Sequence, residues 1–317
     1  MIRYILKRLV WMVPVVLGVI VIVFTILRFC PGDPAEIIAG AEATQEQVDT
    51  IRESWGLDKP FFVQLATYIE NVLKGDFGKS YLTNVSVTSE LAVRIPRTLG
   101  LAFACMVISV VVGVPLGIIA AVKQNSWADR VCMVVALIGV SMPNFWLALL
   151  LVLLFSVKLG WLPAMGIGGI QYYIMPAIAG SMQDLARQAR QARSSMLEEI
   201  RADYVITARA KGLSEKKVIL KHALKNALIP VITVAGNGFG SLLGGALILE
   251  TIFQIPGVGL YVISAVSNRD YPIVQGGTIF LAIAFSFIML AVDLIYASVD
   301  PRIRAQYTSG KRRKKHA

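Results

Sequence analysis

The chain holds very few of the residues that build metal or nucleophilic sites: of 317 residues, 2 are histidine and 3 are cysteine. Cys30, Cys105 and Cys132 have no C-x-x-C spacing and are odd in number, so neither a disulfide framework nor a zinc site is suggested. No H-E-x-x-H or G-x-S-x-G sequence occurs, which argues against a metalloprotease or a serine hydrolase. A nucleotide-binding P-loop is missing too. The G-K-S formed by Gly78, Lys79 and Ser80 has Leu73 where G-x-x-x-x-G-K-S needs its first glycine. Charge is also scarce, at 16% against about 25% in an ordinary soluble domain. No enzyme and no protein-bound metal or cofactor is expected.

Apolar residues make up 56% of the chain, mean hydropathy is +0.66 and net charge is +11. That is more apolar surface than one soluble core needs, and it reads as an all-α polytopic membrane protein. Runs near the length that crosses about 30 Å of hydrocarbon lie at residues 9–29, 99–122, 131–157, 227–253 and 277–299. A sixth candidate, 172–190, is interrupted by Pro176, Gln183 and Asp184. Charge placement decides in its favour. With six spans, Arg3, Lys7 and Arg8, then Lys123 and Arg130, the 191–226 segment and the tail 302–317 all fall on one side, as cytoplasmic loops require. Both termini are therefore expected to be cytoplasmic. Segment 30–98 is placed outside and carries ten acidic against six basic side chains. The first apolar run exceeds the 7 to 15 residues of a secretory signal and is expected to be retained as a helix.

Segment 30–98 has structure of its own. Thr44 and Gln47 have capping-box spacing, Val48, Ile51 and Trp55 share a helical face, and Gly56 is a plausible stop. A second helix starts near Pro60, places Phe61, Leu65, Tyr68, Ile69 and Val72 on one face, and stops by Gly75. The pattern predicts two short amphipathic helices whose apolar faces cover the ends of the spans or, in addition, meet an external partner.

A basic helical stretch, "ADYVITARAKGLSEKKVILKHALKNALIP", lies at 202–230 between two apolar runs. A short helix runs to Lys211, Gly212 can end it, and Ser214 is placed to cap the next with Glu215 in its first turn. Leu213 and Val218 have the spacing of a hydrophobic staple. The elbow has two physical readings: an interfacial helix whose Lys and Arg meet lipid headgroups, or a knob that docks on another protein, with Ala208 and Ala210 allowing close approach.

On the fifth span Gly236, Gly240 and Gly244 recur every fourth residue, a doubled G-x-x-x-G stripe that admits close packing within the chain or against a helix of another chain. Gly113 and Gly117 form a weaker instance around Pro115. Polar residues at membrane depth are costly and are candidates for a translocation path: Asn144 beside Pro143, Gln183, Asp184 and Asn237. Asp184 and Arg187 also have the spacing of an intrahelical pair.

"TARAKGLSEKKVILKHALKNALIPVIT" resembles the cytoplasmic signature loop of permease subunits of bacterial ABC importers, in the dipeptide, oligopeptide and nickel branch. "PGDPA", "GLDKP", "GDFGKS", "SMPNFWLALLL", "ETIFQIPGVGLYVISAVSNRDYPIVQGG" and "VDLIYASVDPRIR" extend the likeness over nearly the whole chain. One departure is Ile206, Thr207 and Ala208 where a Glu-Ala-Ala triplet is more usual in the wider group. The resemblance implies the type I importer architecture. It implies a second homologous permease, two cytosolic ABC ATPases that bind ATP and Mg, and an extracytoplasmic substrate-binding protein. It also implies that Asp203, Tyr204, Thr207, Ala208, Arg209, Ala210, Lys211, Gly212 and Leu213 form the coupling element to an ATPase. Di- or oligopeptides are the expected cargo, with nickel, a nickel chelate or glutathione as the alternative. A stand-alone secondary transporter would favour inverted repeats, and no repeat is evident between the halves.

Overall fold

A computed structural model describes residues 2–30, 32–40 and 42–299; the basic tail 302–317 lies outside them. Among these residues all regular structure is helical apart from one isolated antiparallel bridge, Lys79 with Ser86. The helices are α1 (Ile2–Phe29), α2 (Pro34–Ala39), α3 (Gln45–Ser54), α4 (Phe61–Leu73), α5 (Val87–Val122), α6 (Trp127–Ser141), α7 (Asn144–Leu151), α8 (Gln171–Ile200), α9 (Asp203–Ala210), α10 (Glu215–Lys217), α11 (Leu224–Phe253), α12 (Val258–Asn268) and α13 (Tyr271–Val299). Two π-helical turns, Val152–Lys158 and Val218–Ala223, extend α7 and join α10 to α11.

Among the described residues four stretches are long and apolar enough to span a membrane: Ile5–Phe29, Val87–Val122, Glu215–Phe253 and Tyr271–Ile295. The expected third span, 131–157, is not one straight helix. It breaks between Ser141 and Asn144 with a bend of 101°. Pro143 supplies the reason, since it offers no N–H and drives Met142 into extended backbone (ψ 123). The expected fourth span is the continuous 30-residue α8, which contains Pro176 but is too polar to qualify by composition.

The described residues divide into two compact units, one of 2–99 with 254–286 and one of 100–253 with 287–299. In the first, the capping box forms as expected: Gln47 N donates to Thr44 Oγ1 (3.4 Å) and Thr44 N to Gln47 Oε1 (2.9 Å). The α3 helix closes with a Schellman turn, Gly56 N to Glu53 O and Leu57 N to Arg52 O, which needs the positive φ of Gly56. Two helices in this unit, α2 and α12, were not expected. Asp33 caps α2 by accepting from Ala35 N at 2.9 Å, with Pro34 at the first helical position. The unit is held together by Val87, Leu91, Val258, Val262 and Val274, and by the buried Asp270, which accepts from Ser80 Oγ (2.5 Å) and Tyr81 N (3.1 Å).

The second unit is built around α8, whose buried face is rich in small residues, among them Ala177, Ala179, Gly180, Ala186, Ala189 and Ala192. Small side chains let helices approach closely where lipid offers no hydrophobic drive for association. The α5 crossing is backbone-close: a Cβ on Gly113 would lie 2.5 Å from Leu185 O, and one on Gly117 2.2 Å from Ala189 O. This pair meets the backbone of α8, whereas Gly236 of the longer stripe meets the side chain of Val292.

Candidate coupling elbow and polar path

The elbow lies within the second unit. Val205 and Ala208 turn inward to a cluster with Ala121, Met196, Val218, Ala223 and Ala227, and Leu213 packs on its edge. Leu213 and Val218, which have the staple spacing, thus belong to the same apolar cluster. Ala208 is covered by its own chain, so the available face of α9 is the opposite one: Asp203, Tyr204, Ile206, Thr207 and Ala210, continued by Lys211 and Gly212. Ile206 is 53% exposed. An isolated helix of eight residues is unstable in water, so the buried stripe and the turn chemistry must hold its shape.

The turn is locked by charge. Gly212 takes φ +76 and donates to Arg209 O at 2.9 Å. Arg209 reaches across the bend to Glu215 with two hydrogen bonds of 3.1 and 2.7 Å, and to Ile200 O at 3.2 Å. The guanidinium holds the Glu215 carboxyl below its ordinary range, and the carboxylate raises Arg209 in return. Tyr204 Oη donates to Glu199 and accepts from Asn226 Nδ2 at 3.0 Å, which ties the end of α8 to the start of α11. Burial, then the bond to Glu199, pushes the Tyr204 phenol upward. Ser214 occupies the N-cap position of α10 with the right backbone, but its side chain makes no capping hydrogen bond.

A second lock fixes the turn before α6 to α8. Arg193 Nε and Nη2 donate to the two oxygens of Asp129 at 2.7 and 2.8 Å, and Asn125 N also donates to it at 3.0 Å. The Asp129 side chain is 5% exposed. The bidentate bond to Arg193 is the main reason its carboxyl sits below the usual range.

Of the four path candidates, two gather at the helix break. Gln183 Nε2 donates to Met142 O at 3.2 Å, the carbonyl just before the break. Asn144 follows Pro143, and its Oδ1 is buried without a hydrogen-bond partner among the described residues. Asp184 is elsewhere, paired with Arg187 at 3.0 Å and facing Gly238 of α11. Asn237 is exposed on α11. The glycine stripe divides as well. Gly236 packs beneath Val292 of the same chain, Gly240 is buried, and Gly244 is exposed with nothing within 4 Å of the place a Cβ would take.

A family model described as binding-protein-dependent transport system inner membrane component matches residues 113–305, and the model of the N-terminal membrane component matches residues 1–102. The chain belongs to this family. It is a permease subunit of an ABC importer of the peptide, glutathione and nickel branch, and a multi-pass protein of the bacterial inner membrane. The permease is 44% identical over 304 residues to the glutathione transport system permease protein GsiC of Salmonella choleraesuis (strain SC-B67), covering 96% of this chain and 99% of that protein. The GsiC of Escherichia coli (strain K12) is 43% identical over the same spans. Solved structures of the MetNI methionine ABC transporter in inward-facing conformations share the fold at TM-score 0.55 and 19% identity, over 66% of this chain and 96% of that one. An amino acid ABC transporter matches at TM-score 0.52 and 16% identity, over 68% and 94%.

The sequence reading of this permease missed the partners that hold its elbow and its α6 turn. Glu215 was read as a first-turn anion, and neither Asn226 nor Asp129 was singled out. The Arg209 to Glu215 spacing of six has no helical meaning, because the bend at Gly212 brings the two together. Asp129 and Arg193 are 64 residues apart, and no local pattern links them.

Proposed function

We propose that this permease forms, with a second homologous permease, the path by which a small peptide such as glutathione enters the cell, delivered by an external binding protein and driven by two cytosolic ABC ATPases. The observation that carries the substrate is the 44% identity to GsiC across 96% of this chain. Glutathione is itself a tripeptide, so this narrows the expectation of short peptides. ATP and Mg belong to the ATPases; this chain binds no cofactor. Six spans with both termini inside put α9 on the cytoplasmic side. The exposed face of α9, with Tyr204, Ile206, Thr207 and Ala210, is the surface offered to the ATPase, backed by the buried Val205 and Ala208. Gln183 and Asn144, at the break in the third span, are the polar groups we assign to the path, since discontinuous helices expose backbone where it lines a cavity. Asp184 and Asn237 are assigned to it with them.

The test is uptake by proteoliposomes that hold the complete transporter, with the binding protein and ATP added on their proper sides. Labelled glutathione is expected to accumulate, with competition by short peptides. Accumulation of nickel alone, or of glutathione without ATP, would overturn the reading.

A further inference from the structure

Within the unit of residues 2–99 and 254–286 lies a cavity of about 580 Å³, within the range of small-molecule sites. Its charge is segregated from its surroundings. The 30–98 segment is acidic, yet the cavity is lined by Arg28, Arg52, Lys59 and Lys79, with Asp33 the single acid among the lining residues. Arg52 is neutralised by Asp33 and Asp49. The other cations of the segment have partners elsewhere: Lys74 pairs with Glu70, Arg94 with Glu90, and Arg97 donates to Pro256 O. Arg28, Lys59 and Lys79 make no ion pair among the described residues, and all three line this one cavity.

Two phenols add a second, independent sign. Tyr271 is 8% exposed, Tyr68 is partly covered, and the hydroxyls of both are buried with no hydrogen-bond partner among the described residues. A buried polar group without a partner is destabilising and uncommon in a native fold. Both tyrosines line the cavity among aromatic rings in edge-to-face and tilted contact: Trp55 lies 5.2 Å from Tyr81 and Tyr81 6.2 Å from Tyr271, both edge-on, and Phe24 5.8 Å from Tyr68.

We infer that this cavity is a binding site for a small organic anion, a carboxylate carried on an apolar or aromatic body. The unpaired cations supply the attraction for the carboxylate, the phenols add hydrogen bonds, and the rings cover the apolar part. The site is separate from the coupling elbow and does not depend on which solute the transporter carries. An anionic lipid headgroup shares the oxyanion chemistry, but the neutral amides of Asn71 and Gln275 in the lining suit a ligand with several hydrogen-bonding atoms.

The test titrates the full-length chain in phosphatidylcholine nanodiscs with N-acetylphenylalanine, reading tryptophan fluorescence, against its neutral amide. Saturable binding of the carboxylate is expected, weakened about tenfold for the amide, since losing one charge contact is worth about one power of ten. Lys59→Gln with Lys79→Gln is expected to lose affinity similarly, and Tyr271→Phe to lose it severalfold while melting no lower than wild type. That melting result separates a ligand group from a structural one. Absence of saturable binding, equal binding of the amide, or wild-type affinity in the lysine variant would overturn the inference. Loss of carboxylate binding in phosphatidylglycerol discs would assign the oxyanion to a lipid headgroup and also overturn it.

Discussion

At Gly117 the α8 backbone leaves no room for a side chain: a Cβ would lie 2.2 Å from Ala189 O and 2.7 Å from Ala192 Cβ. Backbone cannot swing aside as a flexible side chain can, so Gly117→Val forces the helices apart and is expected to lower stability by about 1–3 kcal/mol. Gly244→Ala is the contrast. It meets no atom within 4 Å, and removing a helical glycine should leave stability unchanged or raise it by up to about 1 kcal/mol. Thermal unfolding of the two variants in one detergent checks both. Asp129 gives a pH prediction of definite sign. Its carboxyl is held low by Arg193, so the pair's contribution is complete at neutral pH and is lost as pH falls through the acid range below about 4. Asp129→Asn should cost about 1.5–3 kcal/mol at neutral pH, the span for hydrogen bonds to charged groups, and flatten the acid limb of the melting curve.

Among the elements, the short ones show what local chemistry can and cannot reveal. The stops at Gly56, Gly75 and Gly212 were legible because each needs a positive φ that glycine supplies without strain. The Thr44 box was legible because its two bonds lie within four residues. The break at Pro143 was hidden by the apolar residues on both sides, which average into one span. Helix α12 was hidden similarly, in an apolar run between two longer ones. The inward side of α9 was not legible, because which stripe of a short helix is buried depends on Ala121, Met196 and Ala227, which lie on other elements. The elbow's shape should depend on the Arg209 to Glu215 clasp. Arg209→Ala is expected to speed amide hydrogen exchange at 211–217 severalfold while exchange in α11 is unchanged. Acidification below the carboxylate range should lower the protection of 211–217 in wild type relative to the intrinsic exchange rate at that pH, since protonating Glu215 removes the acceptor charge.

For the whole molecule, the family and the helical architecture were carried by the sequence, because the signature blocks run in order along nearly the whole chain and the long apolar runs dictate helices. Contacts between distant residues, such as α8 against Gly113 and Gly117, were not, since close approach is a property of two helices together. The account centres on one claim, that the exposed face of α9 passes the force of ATP hydrolysis to the spans. Ile206 is its most direct probe, being 53% exposed on a helix whose other side is fixed. The decisive measurement is the amount of ATPase that copurifies with the tagged permease, wild type against Ile206→Glu, at matched folding by thermal unfolding. The account predicts that the variant folds normally and retains about a tenth or less of the ATPase, as for loss of an interfacial anchor. Equal recovery of ATPase with both proteins, and equal stimulated hydrolysis, would contradict it.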